Sequence, residues 1–214
     1  QIASDGALGI ATGTVTLDGG TLATTADITS SRSVTLGTSG GAIVAATGTQ
    51  TTLSGAVTGT GALELNGTGT VVLSGTANIG GALTVTAGRL TLDSEVRASS
   101  TRVALGATIG GSGVIVGNLI NEGTLSPGNS PGTMTVAGDV TLTSTSTLAV
   151  EIDGTAYTAT GGVGSYDRIV VTGANSVFTA AGTVAPQLRG ISGAASNSFT
   201  PVIGDSFRIV TTEN

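Results

Sequence analysis

Gly128-Asn129-Ser130-Pro131-Gly132 matches G-x-S-x-G, the spacing that lifts a serine nucleophile onto a tight turn for acyl transfer. Two features of the chain argue against that chemistry. The residue after the serine should donate its backbone N–H to an oxyanion, and Pro131 has none. A serine also needs a base, and none of the 214 residues is His. The same octet reads better as structure. Ser126-Pro127-Gly128-Asn129 and Ser130-Pro131-Gly132-Thr133 each set Pro then Gly at the centre of a turn. That order predicts two successive type II turns, a rigid elbow between strands.

Acidic residues come next. Glu151 and Asp153 alternate with Leu148, Val150 and Ile152, so both are expected on one exposed face. A carboxylate pair there would serve Ca²⁺ or acid catalysis only with further acids, and neither an EF-hand loop nor a G-G-x-G-x-D repeat occurs. Asp18, Glu64, Asp93 and Asp139 stand alone beside strands or turns and read as surface charge. Arg89, Arg97 and Arg102 form a loose basic cluster expected to pair with Asp93 and Glu95. Gly59-Thr60-Gly61 and Gly67-Thr68-Gly69 lack the third Gly and the following helix of a dinucleotide fingerprint. The seven cations are all Arg, so a Walker lysine is absent, and without Cys or His the usual zinc and haem ligands are missing. Alternating Thr141, Thr143, Thr145 and Thr147 would suit ice or ordered water only if repeated coil after coil, and they are not. The expectation is therefore no catalytic, cofactor-binding or metal-binding residue, no cofactor, and no enzyme.

Composition narrows the partners and the fold. Net charge is −6, which repels phosphate backbones, so no nucleic-acid partner is expected. Charged residues are 9% of the chain against roughly 25% in ordinary soluble domains, too few for disorder driven by charge. Aromatic residues are 2% and fall late in the chain, so a core must be built from Val, Leu, Ile and Ala in thin regular layers. No run of 18 apolar residues marks a membrane-spanning helix. With no leader before Gln1 and a stop in mid-pattern at Asn214, the chain reads as a piece of something longer.

What must position any site is a set of strands. Apolar and polar residues alternate in Thr14–Leu17, Ser33–Leu36, Ala62–Leu65, Ala82–Val85, Arg89–Leu92 and Leu148–Ile152, with Gly pairs between them. Val15, Val34, Leu53 and Val72 are each 19 residues apart, Leu73 and Leu92 repeat that step, and Leu63 to Leu83 and Val116 to Val136 make 20. A step of fixed size predicts stacked coils. The fold class is all-β: a right-handed parallel β-helix, with coils of about 19–20 residues over 1–165 and terminal coils or a cap over 166–214. About ten coils, each adding roughly 4.8 Å, predict a rod on the order of 50 Å.

Two stretches carry a resemblance. Gly61-Ala62-Leu63-Glu64-Leu65-Asn66-Gly67-Thr68-Gly69-Thr70-Val71-Val72-Leu73-Ser74-Gly75, followed by Gly80-Gly81 and Ala87-Gly88-Arg89-Leu90-Thr91-Leu92, resembles the passenger-associated strand repeat of bacterial autotransporters. Asn121-Glu122-Gly123-Thr124-Leu125-Ser126-Pro127-Gly128-Asn129-Ser130-Pro131-Gly132-Thr133, then Val136–Val140, Tyr166–Gly173 and Gly204–Phe207, is similar to the late part of such passengers. The match covers roughly residues 55–212 and departs from the repeat at Thr76-Ala77-Asn78-Ile79.

The resemblance implies a β-helical passenger displayed outside the outer membrane or shed from it, with a folding-nucleating cap at its end. It implies the protein's own outer-membrane translocator barrel as one partner, and contact with a cell surface or extracellular matrix as its use. The reading is a structural or adhesive stalk segment without catalysis. Two rivals stand beside it: a polysaccharide-acting β-helix enzyme, and a fibre component that self-associates through an uncapped Gln1 end.

Overall fold

The computed structural model describes residues 1–158, 161–162, 164–188 and 199–213. Among them the strands are all short or bent, and every ladder between them is parallel. They stack in three columns, the faces of a β-helix wound in the right-handed sense that twisted strands impose on parallel crossovers.

The first column stacks Val15–Leu17, Val34–Leu36, Val57–Gly59 and Ala77–Ile79, then the openings of Glu95–Val103 and Val114–Asn121. Thr133–Ala137, Arg168–Thr172 and Val210–Glu213 complete it. The second column runs from Gly20–Thr24 and Gly41–Ala45 through the openings of Leu63–Leu73 and Leu83–Leu92. It continues through the ends of Glu95–Val103 and Val114–Asn121 to Val140–Leu142 and Phe178–Thr179. The third holds Ile28–Ser30, Gln50–Leu53, the ends of Leu63–Leu73 and Leu83–Leu92, Thr108–Gly111, Thr124–Pro127, Thr147–Ile152 and Thr183–Leu188. These columns make eight windings, from Val15 to Leu188, and one strand of a ninth. At roughly 4.8 Å per winding the rod is about 40 Å long, shorter than ten coils would give.

Alternation decides what is inside. Leu22, Ile43, Leu65, Val85 and Val103 lie over one another in the second column and are all buried. Asn121 continues that column between Val103 and Leu142. It is buried and its Nδ2 donates to the Gly123 carbonyl at 3.1 Å. In the third column Val71, Leu90, Ile109, Leu125 and Leu148 do the same. Outward positions carry Thr16, Thr35 and Thr58 in one stack. β-branched hydroxyl residues fit that pleated, half-wet surface.

The expected constant step gives way to a variable one. Val15 does lie over Val34, Leu63 over Leu83 and Leu73 over Leu92. Val34, however, meets Val57 rather than Leu53, Leu53 meets Leu73 rather than Val72, and Val116 meets Ala137 rather than Val136. Up to Ile152, register steps range from 16 residues (Thr108 to Thr124) to 23 (Val34 to Val57). Corners absorb the difference, because a turn can gain residues while the inward side chains keep their columns. Gly61 shows how tight those corners are: a Cβ there would lie 2.0 Å from the Gly37 carbonyl oxygen of the winding below.

After Ile152 the step lengthens to 35 residues, from Thr133 to Arg168, as an inserted loop turns back through an antiparallel bridge between Ile152 and Tyr166. Residue 166, from which terminal coils or a cap are expected, lies at the end of this loop. The strands beyond it extend the same three columns. Phe178, Phe199, Phe207 and Ile209 pack half-buried on the core there, and the Phe207 ring stands edge-on to Tyr166 at 5.4 Å and to Phe199 at 6.2 Å. Residues 189–198 of that region lie outside the described residues.

Candidate functional site

Three polar constellations stand out from the uncharged surface. The first closes the start of the third column. Ile2 bridges to Thr24 in the second column, and a 3₁₀ turn, Asp5–Leu8, then lies against Ile28–Ser30 where a strand would otherwise stack. Arg32 holds it. Its guanidinium is buried and donates to the Asp5 carboxylate at 2.9 Å, to the Gly9 carbonyl at 2.7 Å, to those of Asp5 and Gly13 at 3.3 Å, and to that of Ile10. The hydrogen bond from Arg32, with a second from Ser30, holds the Asp5 carboxyl below the ordinary aspartate range.

The second joins the Ser-Pro-Gly octet, the inserted loop and the strand after it. Asp167 is buried and accepts from the backbone N–H of Gly132 at 2.7 Å and of Glu151 at 2.8 Å. Arg168, also buried, donates to Thr133 Oγ1 at 2.9 Å and to the Thr158 carbonyl, while its guanidinium sits 4.2 Å from the Tyr157 ring centre. Asp153 accepts from Gly164 N–H at 3.3 Å. The expected exposed face of Glu151 and Asp153 is thus corrected. The strand ends at Ile152, alternation ends with it, and Asp153 turns into the junction, buried.

Of the two expected type II turns the second is corrected: the Ser130–Pro131 peptide is cis, and Gly132 does not take the positive φ that such a turn needs. At the first, Pro127 closes a strand and Gly128 takes φ 86°, the positive φ expected there. Ser130 itself has φ 54°.

The third constellation is a groove of about 310 Å³ on the outer side of the third column, lined among others by Arg89, Thr108, Ser126, Ser130, Glu151 and Gln187. A wider trough of about 490 Å³ over the second column is lined by Gly, Ala and Thr residues with Glu64, and holds no cation.

The remaining acids and bases fall out as follows. Arg97 pairs with Glu95 at 2.7 Å as expected, but Arg102 pairs with Glu122 at 2.6 Å and Arg89 with neither acid. Asp93 accepts from Asn129 Nδ2 at 2.9 Å. Asp18, Asp27 and Asp139 are more than surface charge: each accepts a backbone N–H from the next winding, of Ser39, Gln50 and Val177, at 2.8, 2.8 and 2.9 Å. The hydrogen bond from the Ser39 backbone lowers the Asp18 carboxyl from its usual range. Their signal in the sequence is position: each carboxylate abuts the end of a strand, where an N–H of the next coil is left over. Thr143 and Thr145 hydrogen-bond each other at 3.0 Å in the turn between two strands, so the alternating Thr run is no flat ladder. Among the described residues no three His, Cys, Asp or Glu side chains gather to hold a metal ion.

A 62-residue stretch of the chain is 50% identical to the adhesin BmaC autotransporter of Brucella suis biovar 1 (strain 1330). With a parallel β-solenoid already traced, that match supports the similarity to an autotransporter. The resemblance to an autotransporter passenger stands. The matched stretch is 29% of this chain and 2% of that adhesin, so the chain covers a small part of the relative. No protein-family model matches the chain, and no solved structure matches it. In a passenger-like solenoid the first two constellations act as ties between windings, and the groove is the concave polar surface left open to solvent.

Proposed function

We propose that this chain is a structural and adhesive segment of an autotransporter passenger, held outside the outer membrane and working through its outward faces without catalysis. One observation carries the reading: eight windings stack through parallel ladders in three columns, and buried Arg32, Asp167 and Arg168 are spent on tying coils together. The similarity to an adhesin supports it. The partners this implies are the protein's own translocator barrel and a cell surface or matrix that the outward faces meet. The late aromatic windings serve as the cap from which coils stack.

Beads coated with the purified chain test the proposal. They are expected to be retained on matrix-coated or cell-coated surfaces several-fold more than beads carrying heat-unfolded chain. Equal retention, or turnover of any polysaccharide in a glycan panel, would overturn it.

A further inference from the structure

The inserted loop and the segment ahead of Val210–Glu213 form a cleft of about 360 Å³ between them. Among the described residues it is lined by Thr155, Tyr157, Tyr166, Ser206 and Arg208. Packing sets its shape. Phe207 and Ile209 pack against the core while Arg208 between them is exposed, and the Arg208 backbone N–H donates to Tyr166 Oη at 3.1 Å. Tyr157 is held by buried Arg168, whose guanidinium lies 4.2 Å from the ring centre, and that of Arg208 lies 5.8 Å from it. A ring between two cations is drawn to both through its negative faces.

Charge in this cleft is one-sided. The Arg208 guanidinium makes no hydrogen bond or ion pair among the described residues, whereas Arg32, Arg97 and Arg102 each face a carboxylate. The acids nearest in sequence are engaged elsewhere. Asp205 accepts the Val202 N–H at 2.8 Å within its own turn, and buried Asp153 accepts the Gly164 N–H at 3.3 Å. Glu151 and Asp167 line the groove over the third column instead. No residue outside the described set is Asp or Glu, so none of those supplies a counter-charge either.

An unpaired cation on open surface is ordinary, but here it converges with a ring and free donors. The side-chain hydroxyls of Thr155, Tyr157 and Ser206 make no hydrogen bond among the described residues, and that of Tyr166 accepts one and keeps its proton to donate. Tyr157 is also the one exposed ring among the described residues. A guanidinium fork takes a carboxylate through two parallel hydrogen bonds. Hydroxyls beside it suit a ligand that is itself rich in hydroxyls, and the Tyr157 ring adds apolar surface with a polar tip. No aliphatic side chain in the lining seats the apolar anchor of a peptide. A volume of about 360 Å³ is at the small end of ligand sites.

We infer that this cleft binds a single acidic sugar residue, with its carboxylate on Arg208 and its hydroxyls on Thr155, Ser206 and Tyr166. The inference rests on the adhesive reading above and names the ligand class for it.

Saturation-transfer NMR of sodium glucuronate titrated with the purified chain tests the inference. Saturable binding is expected, with a dissociation constant of about 1–10 mM that rises with salt. Glucose and sodium acetate should each bind at least tenfold more weakly. Arg208→Gln should weaken glucuronate binding at least tenfold, and Arg208→Lys, which keeps the charge without the fork, severalfold. Arg97→Gln should leave it unchanged. The Arg208 side chain is exposed, so its variants should keep the far-UV dichroism of the parent. Absence of saturable binding, equal affinity in folded Arg208→Gln, or acetate binding as tight as glucuronate overturns the inference. Bead retention without glucuronate binding removes the cleft and spares adhesion, whereas glucuronate binding without bead retention removes adhesion and spares the cleft.

Discussion

Replacing Arg32 with Met keeps most of the buried stem and removes the guanidinium. Five acceptors lose their donor: the Asp5 carboxylate and the carbonyls of Asp5, Gly9, Ile10 and Gly13. Removing one partner of a buried ion pair typically costs about 3–5 kcal/mol. The Asp5 side chain is 25% exposed against 2% for Arg32, so part of its hydration returns, which lowers the expected cost to about 2–4 kcal/mol. Converted at about 1.4 kcal/mol per decade, that is a 30- to 700-fold rise in local opening.

The effect should stay local, since each winding contacts only its neighbours. Hydrogen exchange followed by mass spectrometry should show lost protection in residues 2–17 and unchanged protection from Leu63 onward. Arg32→Lys separates charge from geometry. A lysine can keep the Asp5 pair but cannot span five acceptors, so it should fall near Arg32→Met. Protection changed by less than threefold in Arg32→Met, or lost evenly along the rod, would refute the keystone role.

Two further outcomes are expected. Leu83 is fully buried between Leu63 and Thr101 of the windings on either side, so Leu83→Ala should cost about 2–5 kcal/mol in urea unfolding, and a loss under 0.5 kcal/mol would contradict the stacked core. The Asp5 carboxyl is held below its ordinary range chiefly by the Arg32 hydrogen bond, so its contribution is complete above the unfolded value near pH 3.9 and drains away as pH falls through the lower folded value. Exchange protection at residues 2–17 should be flat from about pH 8 to 5 and fall below about pH 4, and Arg32→Met should erase that dependence.

Much of the winding could be read from side-chain order alone. Leu63, Leu65, Leu83 and Val85 alternate with polar neighbours, and that period admits only one buried face per strand. Gly pairs marked corners for a related reason, since coils approach so closely at Gly61 that no Cβ fits. Register was less legible. Spacing put Val34 over Leu53, but corner length is free to vary, so the column rather than the count chose Val57.

Buried charge was the least legible feature. Arg32 sits at a corner and Asp153 and Asp167 in an inserted loop, where no alternation says which way a side chain points. Asn121 was hidden for the opposite reason: it occupies a strand position that alternation assigns to an aliphatic residue.

The order of residues by itself therefore determined the all-β class, the inward Val, Leu and Ile, and the absence of His, Cys and Lys, because period and composition are properties of the chain. Tertiary structure alone decided which windings touch, that Arg32, Asp167 and Arg168 are interior ties, and that Arg89 and Glu151 line one groove. Those facts depend on residues 16 to 41 positions apart meeting across a 4.8 Å stack, and no local pattern encodes that distance.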